Sequence, residues 1–97
     1  MKSERELYFA LGLAQKAGKL ASGDQGVEDA LKKGQGCLVL MAPDVSDRTR
    51  ERLEGLCRRY GVPLRLGLPM AEMGQAVGRA PRAAVVVLDH HFLQLMM

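Results

Sequence analysis

The tripeptide Asp89-His90-His91 is the most chemically suggestive run in the chain. Imidazole titrates near neutral pH, and a neighbouring carboxylate can orient it as a general acid or base. Adjacent residues at a helix start point in different directions, however, and Asp is a preferred N-cap. Asp89 therefore reads as a cap, and both histidines as surface or boundary residues. Two histidines with no third ligand at helical spacing do not make a metal site. Cys37 and Cys57 stand far apart, outside any Cys-x-x-Cys pair, and read as buried free thiols. The chain has no Gly-x-x-x-x-Gly-Lys-Ser/Thr loop, no Gly-x-Gly-x-x-Gly fingerprint and no Gly-x-Ser-x-Gly elbow. Gly34-Gln35-Gly36 precedes an apolar run, not a helix, and so lacks the geometry of a phosphate-binding turn. The expectation is a protein without a catalytic step, a metal or a cofactor.

Binding chemistry has better local support. Lys16, Lys19, Ser22, Gly23 and Gln25 fall where one helix ends and the next begins. A helix N-terminus presents unpaired N–H groups and a partial positive charge, which suit a phosphate. The lysines would add the salt-sensitive part of an affinity for nucleic acid. Gly23 would let a nucleotide backbone approach closely, and Gln25 could offer a donor and an acceptor to a base edge. A plainer reading of the same residues has Ser22 and Gln25 as the two halves of a capping box, Gly23 as a turn residue and the lysines as solvated.

The elements that must position these residues follow from periodicity. Leu7, Leu11 and Ala14, with Ala10 beside them, make one stripe of a helix over residues 4–17, and Gly18 ends it. Leu20 and Ala21 form a short strand before a second helix with Val27, Ala30 and Leu31 inward. Residues 37–41 are apolar without alternation, as suits a strand covered on both faces. Ser46 caps a third helix whose buried stripe is Leu53, Leu56, Cys57 and Tyr60. Its other side carries many arginines interspersed with acids, which reads as a solvated face. Residues 63–66 are a strand, and Pro69 fits the first turn of a fourth helix with Met70, Met73 and Val77 inward. Residues 79–82 are a loop and 83–88 a second fully apolar strand. Asp89 then caps a short last helix with Phe92, Leu95 and Met96 inward. Helices alternating with doubly covered strands predict an α/β fold, a sheet held between two helical layers.

The totals bound the rest. Ninety-seven residues, 47% apolar and 26% charged, suit one domain spanning residues 1–97. Fourteen Lys and Arg against eleven Asp and Glu give a net charge of +3, which permits a polyanionic partner without demanding one. No stretch approaches the length of a membrane span, and the charged start has no signal-peptide core. A cytoplasmic protein, monomeric and without a membrane partner, is expected.

Residues 11–23, Leu-Gly-Leu-Ala-Gln-Lys-Ala-Gly-Lys-Leu-Ala-Ser-Gly, resemble the opening of the kink-turn RNA-binding ribosomal-protein superfamily. The likeness is to its small bacterial YlxQ-like branch. It continues through residues 38–46, Tyr60-Gly61-Val62-Pro63, residues 72–78 and the closing apolar strand. The resemblance implies a three-layer α-β-α sandwich with a mixed four-stranded sheet and non-enzymatic binding of structured RNA, a kink-turn or a related ribosomal motif. It implies that the start of the second helix reads sheared G·A pairs, which falls here on Gly23, Asp24, Gln25, Gly26 and Asp29. It also implies that the loop before the last strand packs on an extruded nucleotide, which falls on Arg79, Ala80, Pro81, Arg82 and Ala83. The chain departs from the family pattern at two points. An Asn-Glu or Lys-Gln pair is replaced by Gln25-Gly26, which leaves one side chain fewer to meet a base. A lysine is replaced by Asp29, which would repel a phosphate. These departures keep open a second role, a protein-interaction module on a ribonucleoprotein with weak or no specific kink-turn binding.

Overall fold

The computed structural model describes residues 3–97; Met1 and Lys2, at the charged start, lie outside the described residues. The chain runs α1 (Glu4–Lys16), β1 (Leu20–Ser22), α2 (Gly23–Lys32), β2 (Leu38–Met41), α3 (Asp47–Tyr60), β3 (Leu64–Leu66), α4 (Met70–Ala76), β4 (Ala84–Val87), a 3-10 turn (His90–Phe92) and α5 (Leu93–Met96). The four strands form one mixed sheet in the order β1-β4-β2-β3. Strand β4 is antiparallel to both of its neighbours, while β2 and β3 are parallel and joined through α3. That connection follows from geometry, because a parallel pair requires a crossover and a helix supplies it.

The uniform apolarity of β2 and β4 has a direct cause. Every residue of both strands is buried. Leu38, Leu40, Val85 and Val87 face a core built with α1, α4 and α5, while Val39, Met41, Ala84 and Val86 face a second core built with α2 and α3. Strand side chains alternate between faces, so a sheet with helices on both sides needs apolar residues at every position. The expected three-layer α-β-α sandwich with a mixed four-stranded sheet is therefore the observed one. Among the described residues no helix is long and apolar enough to cross a membrane.

The helix starts are set by local chemistry. Ser3 and Glu6 form a reciprocal capping box on α1, and the Ser46 hydroxyl accepts from the Thr49 N–H on α3. Pro69 occupies the N-cap position of α4, one residue earlier than its expected place in the first turn. The Asp44 carboxylate accepts the Met70 N–H at 2.9 Å and so ties α4 to the loop after β2.

Two expectations about burial are corrected. Leu95 is 41% exposed, not inward. The 3-10 turn passes into α5 between Phe92 and Leu93, which shifts the helical phase. Phe92, Leu93 and Met96 meet the core and Leu95 faces solvent. Cys57 is buried but Cys37 is only half-buried, because β2 begins one residue after it. Burial raises the pKa of both thiols, with the Asp89 charge adding to the effect at Cys37.

Leu40 is 1% exposed in the centre of the sheet. Replacing it with Ala removes buried methyl groups that surrounding atoms can only partly replace, at a cost of about 3 kcal/mol. Urea unfolding of Leu40→Ala should show a lower midpoint with an unchanged denaturant slope.

Candidate functional site

The antiparallel pairing of β1 with β4 sets Ser22 opposite Val85, and so brings the end of β1 beside the loop that leads into β4. Arg82 fills that junction. Its Nε donates to Ser22 Oγ at 3.4 Å, and its Nη1 donates to the carbonyls of Ala80 at 3.3 Å and Pro81 at 3.4 Å. The Arg82 backbone N–H donates to the Met70 carbonyl. Two segments sixty residues apart in sequence thus share one surface.

Gly23 makes the junction possible. The chain passes from strand directly into helix there, with φ +81° at Gly23. An L side chain in that region costs about 1–2 kcal/mol. A β-carbon would also stand 4.0 Å from Arg82 Nε, filling the open side of the junction.

The Ser22–Gln25 capping box is not formed. Ser22 is extended and makes no side-chain bond to the α2 backbone; its hydroxyl accepts from Arg82 instead. The left-handed Gly23 separates it from the helical dihedrals that a cap must join. Gln25 Nε2 donates to Asp29 Oδ1 at 2.8 Å, one turn along the same helix. Helices α1 and α3 are capped by serines, whereas α2 presents its first turn without a side-chain cap beside the Arg82 guanidinium. Asp24, in that first turn, is ion-paired across to Arg52 on α3 at 2.7 Å. Gly26 lies against Ala21, where an added β-carbon would be in ordinary contact at 3.7 Å.

The rest of the loop is held from behind. Arg79 is exposed, its N–H donating to the Gly74 carbonyl at 2.8 Å. Pro81 is exposed, and the half-buried Ala83 accepts from the Ala42 N–H at 2.8 Å. Gly74 lies inside α4 with no room above it. A β-carbon there would fall 2.6 Å from the Ala80 carbonyl carbon and 2.9 Å from the Arg79 oxygen. Gly74, Asp44 and Arg52 position the site and were not singled out from the sequence. A glycine in the middle of a seven-residue helix is the one signal that could have marked Gly74.

Lys16 and Lys19 are not brought to this junction. Both are exposed, and Lys19 sits at the other end of β1, where its carbonyl accepts from Leu88 N–H. Four residues of extended chain from Lys19 to Gly23 span about 13 Å. Lys19 Nζ lies 4.0 Å from Asp89 Oδ2. Asp89 is the expected cap, accepting the His91 N–H at 2.9 Å, and His91 Nδ1 is also 2.9 Å away. The His91 backbone N–H, then its ring, with Lys19 contributing, hold the Asp89 carboxyl below its usual value. His90 and His91 are exposed. Among the described residues no group of three or more His, Cys, Asp and Glu could hold a metal ion.

A mixed sheet between two helical layers, with a helix start and a glycine-supported loop meeting at one edge, defines a small α/β sandwich with a candidate surface at a strand–helix junction. The chain belongs to the ribosomal protein L7Ae/L30e/S12e/Gadd45 family, whose model matches residues 5–96. It is 32% identical over 90 residues to the RNA-binding protein YlxQ of Bacillus subtilis (strain 168), covering 93% of this chain and 90% of that protein. It is 29% identical over 82 residues to the RNA-binding protein YlxQ of Enterococcus faecium, covering 84% and 79%. Among solved structures, a protein of unknown function from Bacillus halodurans C matches with a TM-score of 0.84 and 30% identity, over 96% of this chain and 94% of that one. The Giardia lamblia 15.5kD RNA binding protein matches with a TM-score of 0.78 over 99% and 84%, and at 19% identity it shows the shared fold alone.

Gly74→Ala should destabilise the protein by about 1–3 kcal/mol, because overpacking against backbone outweighs the gain in helix propensity. Thermal unfolding checks this, and the variant should also expose the 79–83 loop to faster proteolysis.

Proposed function

We propose that this protein binds structured RNA, a kink-turn or a related ribosomal RNA motif, in association with the ribosome, and catalyses no reaction. The observation that carries the reading is the contact of Arg82 with Ser22 at the uncapped start of α2. Free first-turn N–H groups and a guanidinium held beside them suit one phosphate and the edge of an unstacked base. Family membership and the two relatives named as RNA-binding proteins support the same reading. RNA shape and unstacked bases would supply selectivity, and phosphates much of the affinity.

The departures temper how the site reads bases, not whether it meets RNA. Gln25 is engaged by Asp29, so its amide is half committed and Asp29's charge is partly answered by that bond. Lys16 and Lys19, at the far end of β1, serve in this reading as outlying phosphate contacts on a flanking RNA arm.

A salt-titrated binding isotherm against three RNAs tests the proposal: a kink-turn, the same RNA with its G·A pairs replaced, and a plain duplex. The kink-turn should bind tightest, with a log–log salt slope of roughly −3 to −5 for about four to six phosphate contacts. Arg82→Ala should weaken it about tenfold, the value of one charged hydrogen-bonding group. Equal, weak binding to all three RNAs would contradict kink-turn reading.

One observation favours a second reading, a protein-interaction module. Phe9 and Leu13 on α1 and Leu95 on α5 are 58%, 56% and 41% exposed, an apolar surface on the layer opposite α2 and α3. A ribosome-associated protein would be its partner. A stoichiometric protein that stays bound after nuclease treatment, and is released by Phe9→Ser, would support it. Loss of every partner with the RNA would count against it.

A further inference from the structure

The arginines of α3 look mixed with acids in sequence, but the helix sets three of the five apart, while Arg50 and Arg58 stay on the acidic side. At 3.6 residues per turn, Arg48, Arg52 and Arg59 fall within about 40° of one another, while Asp47, Glu51 and Glu54 cluster about 110° away. Arg52 shows which edge the arginines occupy, because it is ion-paired to Asp24 at the start of α2. The basic stripe therefore borders α2, and the acids lie on the other side of the helix.

Acids do stand on α2 beside this stripe, and each has a partner. Asp24 is answered by Arg52 at 2.7 Å and Glu28 by Lys32 at 2.9 Å. Among the described residues, Arg48 has no ion-pair partner, and Arg59 has only the Tyr60 ring, 5.4 Å from its guanidinium carbon to the ring centroid. Both are exposed. From Arg48 to Arg59 the stripe is about 16 Å long at the rise of an α-helix. It begins beside the α2 start, where Asp24 meets Arg52.

We infer that this edge of α3 is a second RNA surface, in which Arg48 and Arg59 contact the phosphate backbone of a helical arm leaving the α2–Arg82 junction. Arg52 is a positioning residue that cancels Asp24, the one acid in the first turn of α2. The inference rests on the proposed RNA-binding function. It adds a surface that reads no base, since arginines along an arm contact phosphates and carry no sequence information.

The test uses the full chain and two internal-loop RNAs, one with short arms and one with an arm lengthened by a full helical turn. Arg48→Gln/Arg59→Gln should weaken the long-armed RNA by roughly tenfold at low salt and flatten its log–log salt slope by about 2. The short-armed RNA should lose far less. A charge-matched control, Arg5→Gln/Arg65→Gln, should leave the preference for the long arm intact. The inference is overturned if both RNAs weaken equally, if neither does, or if the control removes the same increment. Failure of the underlying function looks different: the unmodified protein would then bind neither RNA better than a plain duplex. Arg52→Ala should weaken both RNAs, with binding rescued in Arg52→Ala/Asp24→Asn; absence of rescue would overturn the positioning role.

Discussion

Strand β4 is the member on which the rest of the molecule depends. It pairs antiparallel with β1 on one side and β2 on the other, and its four residues are buried on both faces. The register sets Ser22 against Val85, so that Arg82, three residues earlier, comes within reach of the Ser22 hydroxyl. A slip of one residue would send Val85 and Val87 to the wrong core and separate the two halves of the site. The same alternation that fills both cores thus fixes the site's geometry. Helices α1, α4 and α5 on one face and α2 and α3 on the other hold that register by burying opposite sets of side chains.

The site's electrostatics come from where charges are spent. Asp24, Asp29 and Asp89 would each oppose an anionic ligand, and each is engaged within the protein: by Arg52, by Gln25, and by His91 with Lys19 nearby. Among the described residues Arg82 is bound only to a hydroxyl and two carbonyls, so its charge is oriented without being neutralised. A modest net charge of +3 therefore understates the local field at the α2 start.

Much of this was legible from residue order. Uninterrupted apolar runs at β2 and β4 require cover on both faces, and the glycine and serine punctuation located the helices to within a residue or two. The resemblance implied the start of α2 and the 79–83 loop, two segments that the fold joins, although no local pattern could have joined them, because the pairing is set by sheet register. Where reading failed, a backbone event intervened. A left-handed Gly23 displaced the Ser22 cap, and the junction of the 3-10 turn with α5 rotated Leu95 outward. Gly74 was silent because its role is to be empty against Ala80, a contact made only in three dimensions. The basic edge that Arg48, Arg52 and Arg59 form on α3 is hidden in the sequence by interleaved acids, and helical phase with the Asp24–Arg52 pair brings it out.

Residues 22–26 and 79–83 are proposed to act together as one RNA-contacting surface. Backbone amide chemical shifts recorded during titration with a kink-turn RNA address it most directly. The largest changes are expected together on Gly23 to Gly26 and on Arg79, Ala80, Arg82 and Ala83, with Phe9, Leu13 and Leu95 unmoved. Shifts concentrated on that α1–α5 surface, with the α2 start and the Arg82 loop unchanged, would contradict it.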